Sequence, residues 1–153
     1  MKKFNILQGE IQLIHHDEFY LGVNIPYPEI ENHLKVMQKF LPQQDFQVYL
    51  SNQKLRDAHK HHITIVNPIE YNAEYCDVLV GNIITYSMVG LGRVTQDEDD
   101  VFFIVAESTD MEKLRQQVQL PKKDFHITLG FKNNDIHDVA KNRDTLTETL
   151  NLT

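Results

Sequence analysis

The sequence predicts an α+β fold, and three observations predict it. Strand-like runs alternate with helical periods along the whole chain. Proline, glycine and Asn-Pro breaks punctuate those runs, with no linker, low-complexity tract or long repeat between them. The length of 153 residues, with 41% hydrophobic and 24% charged, matches one globular domain over 1–153 that can bury its own core.

Phe4 to Leu7 and Glu10 to Ile14 read as strands joined by a turn at Gln8-Gly9. Phe19 to Ile25 is a third strand, ended by Pro26 and Pro28. A helix follows, with Pro28 in its first turn, Glu29 and Glu31 at the positive dipole end, and Ile30, Leu34, Met37 and Leu41 on one face. Pro42 stops it. Phe46 to Leu50 is expected to be a short strand and Ser51 to Lys60 a polar connection. His61 to Val66 is strand, ended by Asn67-Pro68, and Tyr71 to Val80 fits loop, helix or strand equally. Asn82 to Thr95 and Val101 to Glu107 form a hairpin around a solvated acidic tip, Gln96 to Asp100. Thr109 caps a helix from Asp110 to Gln119 that places Met111, Leu114 and Val118 on one face. Phe125 to Phe131 is strand, followed by a short segment from Asp135 to Lys141 and a last helix from Arg143 to Leu150.

Composition excludes several classes of function. The formal charge is −7, from 22 acidic and 15 basic residues, so no counterion-releasing basic surface invites a long nucleic acid. A small anionic ligand in a local pocket remains compatible with that charge. No apolar run approaches the roughly 20 residues that span a bilayer, so no membrane partner is expected. Met1-Lys2-Lys3-Phe4 leads into no apolar stretch, so no signal peptide is read there, and the lone Cys76 fits a reducing cytoplasm.

One short pattern occurs twice. His62-Ile63-Thr64 and His126-Ile127-Thr128 both carry His-x-Thr inside an expected strand, 64 residues apart. Side chains alternate along a strand, so each His and Thr share one face while Ile63, Ile65, Ile127 and Leu129 point to the core. Breaking a phosphodiester without a metal needs a base for the attacking oxygen and an acid for the leaving oxygen. Imidazole, with a pKa near 6.5, serves as either. Threonine hydroxyls beside them can hydrogen-bond the non-bridging phosphate oxygens. A single His-x-Thr arises by chance in many chains; two in matching strand contexts favour function.

The repeated motif resembles the signature of the 2H (two-histidine) phosphoesterase superfamily, two His-x-Thr/Ser motifs flanked by hydrophobic residues. His62 and Thr64 match the first motif, His126 and Thr128 the second; His61 departs from the apolar residue usual before the first histidine, while Phe125 conforms. The resemblance implies a bilobal α+β fold with pseudo-twofold symmetry, antiparallel sheets around a central cleft, and flanking helices. It implies a cofactor-free phosphodiesterase of the LigT-like or cyclic-oligonucleotide-degrading kind. Its substrate would be a small nucleotide or short oligonucleotide: a 2′,3′-cyclic phosphate, a 2′-5′ linkage, or a cyclic signal of the type that phage anti-defence enzymes clear. The alternatives are a non-catalytic protein that sequesters such a nucleotide, and a structural protein with two chance motifs.

Further candidates surround this pair. Tyr20 and Tyr27 flank a strand end and a helix start, where a base could stack. His137 and Lys141 stand at i and i+4, so on a helix they would share a face suited to a second phosphate or a base edge; the plainer reading is a solvated helix start capped by Asp135. Arg93 could clamp a phosphate, but a surface ion pair with the nearby acidic tip is the favoured reading. His59, His61 and His62 do not have a recognisable zinc spacing, and no metal site is expected.

Overall fold

The computed structural model describes residues 6–147. The first half of the chain supplies β1 (Ile6–His15), β2 (Phe19–Ile25) and β3 (His61–Val66). The second half supplies β4 (Ile83–Gln96), β5 (Asp99–Glu107) and β6 (Phe125–Phe131). All pairings are antiparallel, and the six strands close a ring in the order β1-β2-β3-β6-β5-β4. Each half runs hairpin, helix, third strand. Helices α1 (Tyr27–Gln38) and α2 (Gln43–Arg56) lie between β2 and β3, and α4 (Thr109–Gln117) lies between β5 and β6. A short α3 (Ala73–Cys76) and a 3-10 turn (Asp77–Leu79) join the halves across the stretch that sequence left open. The fold is α+β, two similar lobes joined along two seams.

Apolar side chains of both lobes merge into one core. Leu21, Val23, Ile63, Ile65, Ile104, Ile127 and Leu129 pack against Ile30, Leu34 and Met37 of α1 and Phe46 and Tyr49 of α2. Each such side chain contributes roughly 1.5–3 kcal/mol on burial. The four residues expected to face inward from the motif strands, Ile63, Ile65, Ile127 and Leu129, are all fully buried. No helix among the described residues is long and apolar enough to cross a membrane.

Several local expectations are corrected. Gln8-Gly9 is no turn: β1 runs straight through it, and Gly9 pairs with Ile84. A Cβ there would stand 2.3 Å from Cγ1 of Val23, so the glycine permits close approach, as interior strand glycines often do. Phe46 to Leu50 and Ser51 to Lys60 are mostly one helix, α2. Its inward stripe is Phe46, Tyr49 and Gln53, and Asp57 just beyond is also buried, so two polar members mask the apolar period. Gln53 is satisfied there by donating to Asp57 Oδ2 and to the Lys60 carbonyl.

The acidic tip is only partly solvated. Asp97 and Glu98 form the turn, but Asp100 is buried in β5, where it accepts from the Tyr49 hydroxyl and from two Arg93 nitrogens. The expected Arg93 pair therefore forms with an inward-facing member of the tip. Ser108, not Thr109, caps α4, accepting from the Met111 N–H at 3.1 Å. Asp135 to Lys141 is not helical; the Asp135 carboxylate that would cap a helix is occupied by Arg56 and Lys141 instead. Of the expected last helix, Arg143–Thr145 is a 3-10 turn and residues 148–150 lie outside the described residues.

Two contacts seat the elements that surround the motif strands. α2 rests directly on β6 at Gly130, where a Cβ would come within 2.9 Å of the Tyr49 backbone. Asn52 then donates to the Phe131 and Lys132 carbonyls, which fixes the last turn of α2 beside β6. On the other side Arg115, 1% exposed, donates to the carbonyls of Ile65 and Pro121 and to both Glu70 oxygens. One guanidinium thus ties α4, the end of β3 and the approach to β6 together.

Candidate active site

The two motif strands meet at the β3–β6 seam, where Ile63 faces Ile127 in antiparallel register. Extending that register by one residue each way sets His62 beside Thr128 and Thr64 beside His126. Both isoleucines point into the core, so the four polar side chains emerge together on the opposite face. Diagonal neighbours across such a seam stand roughly 7–8 Å apart. That is a span one phosphate group can bridge.

A bulge follows each motif at the same place. Leu21 faces Val66 but Gly22 faces Thr64, which leaves Ile65 without a partner on β2. Phe102 faces Gly130 but Phe103 faces Thr128, which leaves Leu129 without one on β5. Each bulge resets the alternation just after the threonine, so Val66 is buried and Gly130 turns toward α2. The motif thus contributes its His and Thr to the polar face and nothing bulkier behind them.

A cleft of about 780 Å³ opens over this face and is lined by His62, Thr64, His126 and Thr128. Tyr20, His137 and Lys141 also line it. The Tyr20 ring lies 5.2 Å from His62 and 6.0 Å from His16, so three rings form a row up one wall. Phe103 meets His126 edge-on at 5.8 Å. Tyr27 is the exception among the expected residues: it is 55% exposed and outside the cleft wall, because β2 ends at Ile25 and the buried stripe of α1 begins only at Ile30. His61 is buried on the other face of β3, opposite Ile25. Among the described residues no group of three or more His, Cys, Asp or Glu is arranged to hold a metal ion.

Charged residues that sequence reasoning missed stand behind the imidazoles. Arg56 and Asp57, at the end of α2, pair with each other at 2.8 Å. Arg56 also pairs with Asp135, and Lys141 donates to the same carboxylate at 3.0 Å. Burial alone would raise the Asp135 pKa, but Lys141 and Arg56 outweigh it and hold it at about 2. The two histidines respond chiefly to burial. It pushes His62 down to about 4, with Asp57 opposing and Arg56 adding to the effect. It pushes His126 well below the ordinary imidazole range, with Lys141 adding and Asp135 opposing. Both are therefore neutral bases at pH 7. Arg56 and Asp57 left no readable signal because the helix that carries them hides its period.

A ring of two matching lobes with His-x-Thr strands facing one cleft defines a phosphoester-cleaving class of protein. The model of the family described as Swiss Army Knife, 2H phosphoesterase domain, matches residues 19–137, most of the chain. The protein belongs to the 2H phosphoesterase family, whose activity is phosphodiester cleavage in general. No curated protein and no solved structure matches the chain.

Proposed function

We propose that the protein is a metal-independent phosphodiesterase acting on a nucleotide, with His62 and His126 as its acid–base pair. The observation that carries this reading is the β3–β6 register, which faces both His-Thr pairs into one cleft. In hydrolysis one neutral imidazole takes the proton of the attacking water as its oxygen bonds to phosphorus. The other, as imidazolium, gives a proton to the leaving ribose oxygen as that P–O bond breaks. Thr64 and Thr128 hydrogen-bond the non-bridging oxygens as charge grows on them. The −7 charge of the chain favours a short ligand over a polymer. Substrates of fitting chemistry are a 2′,3′-cyclic phosphate, a 2′-5′ linkage and a small cyclic oligonucleotide signal.

Incubation with 2′,3′-cyclic nucleotides, 2′-5′ oligoadenylates and cyclic di- and trinucleotides in excess chelator, followed by chromatography, tests this. At least one class is expected to yield product. No product from any class, or product only after a metal is restored, overturns the proposal.

The histidine pKa values set the pH dependence. Catalysis needs one imidazole neutral and one protonated, and the profile of kcat/KM reports the free enzyme. With both pKa values lowered, raising the pH removes the needed proton before neutrality. The expected profile peaks on the acidic side of 6.5 and falls about tenfold per pH unit above its peak. A plateau holding through pH 8 contradicts the lowered values.

A further inference from the structure

The cleft does not end at the catalytic pair. A second cavity of about 290 Å³ adjoins it, and the two share Lys123, Asp124 and Lys141 in their walls. Its remaining lining includes Thr109, Lys122 and Asn142, groups suited to hydrogen-bonding a sugar or base edge, together with Glu107 and Glu112.

The cations along the main cleft are not equivalent. Arg56 is occupied by Asp57 and Asp135, and Lys141 by Asp135. Asp124 accepts from the backbone N–H of Lys141. Lys123 is half-buried on the segment leading into β6, and among the described residues it alone of the cleft cations forms no ion pair or hydrogen bond. It stands on the partition between the two cavities. Burial holds its ammonium pKa below the ordinary value, with Arg115 and Lys141 adding and Glu70 and Asp124 opposing. An anion placed against it relieves both the desolvation and the repulsion. A lysine is a compact point charge well matched to a phosphate oxygen.

We infer that Lys123 binds a second phosphate of the substrate, one nucleotide away from the bond that is cut, and so selects substrates with at least two phosphates over a lone mononucleoside cyclic phosphate. This deepens the proposed nucleotide specificity and rests on it. The catalytic quartet would hold the scissile phosphate while the chain passes over Lys123 into the second cavity.

The test is a cycle read by calorimetric binding, independent of turnover. A linear dinucleotide with a 5′-phosphate and the same dinucleotide without it are titrated into the wild type, Lys123→Ala and Lys123→Arg. Loss of the 5′-phosphate is expected to weaken binding about tenfold in the wild type and in Lys123→Arg, and hardly at all in Lys123→Ala. An equal loss in wild type and Lys123→Ala, or no binding of either dinucleotide by the wild type, overturns the inference. Intact coupling in a protein that cleaves nothing would count against the catalytic proposal alone.

Discussion

Replacing His62 or His126 by alanine is expected to lower kcat by roughly 10²–10⁴-fold while nucleotide binding stays measurable. Each imidazole supplies one proton transfer, and neither threonine can substitute, since a hydroxyl is too weak a base and acid near neutrality. Because the two act in one step, the double variant should lose little more than either single one. Asparagine or glutamine at these positions keeps much of the volume and serves where alanine disturbs the wall. Turnover by single and double variants, with affinity measured separately, decides the matter. Unchanged turnover in both variants would falsify the catalytic assignment. Binding without turnover in the wild type would instead favour a protein that sequesters its nucleotide.

Asp135→Asn is expected to cost about 3–5 kcal/mol of stability at neutral pH, the usual penalty for breaking a buried ionic network on one side. The carboxylate side chain is 3% exposed and serves both Arg56 and Lys141. Arg56 retains Asp57 after the change, but Lys141 loses its only ion pair among the described residues. The sign of the pH effect follows from a pKa held at about 2, below the ordinary aspartate value. A depressed folded-state pKa contributes stability that is complete above the unfolded value near 4 and is lost as pH falls toward 2. Urea midpoints of wild type and variant should therefore differ most at pH 7 and draw together as the pH falls below 4 toward 2. A difference that stays constant across that range, or one under about 1 kcal/mol at pH 7, removes the network from its role.

The motif strands were the most legible part of the chain. His61 to Val66 and Phe125 to Phe131 are strands over the ranges the sequence suggests, with the isoleucines inward. α2 was the least legible: Gln53 and Asp57 occupy inward positions where a simple helical pattern has apolar residues, and their partners are other backbone and side-chain groups. Gly9 reads as a turn only because the side chain it makes room for, Val23, belongs to another strand. His137 and Lys141 do line the cleft, but on an irregular segment held by Asp135 rather than on a shared helix face.

By itself, the sequence determined the α+β class, the two His-x-Thr strands and which side of each strand is polar. Those are local properties, carried by a period of two and by residues a few positions apart. Only the tertiary structure decided that β3 lies against β6, that a bulge follows each threonine, and that Tyr27 stands outside the cleft. It also decided the charges behind the imidazoles, where Arg56 reaches Asp135 across 79 residues of chain. Burial depth and long-range ion pairs depend on which surfaces meet, and no local pattern encodes that meeting. The eight histidines of the sequence thereby separate: two share the polar face that lines the cleft, and their surroundings hold them neutral at pH 7.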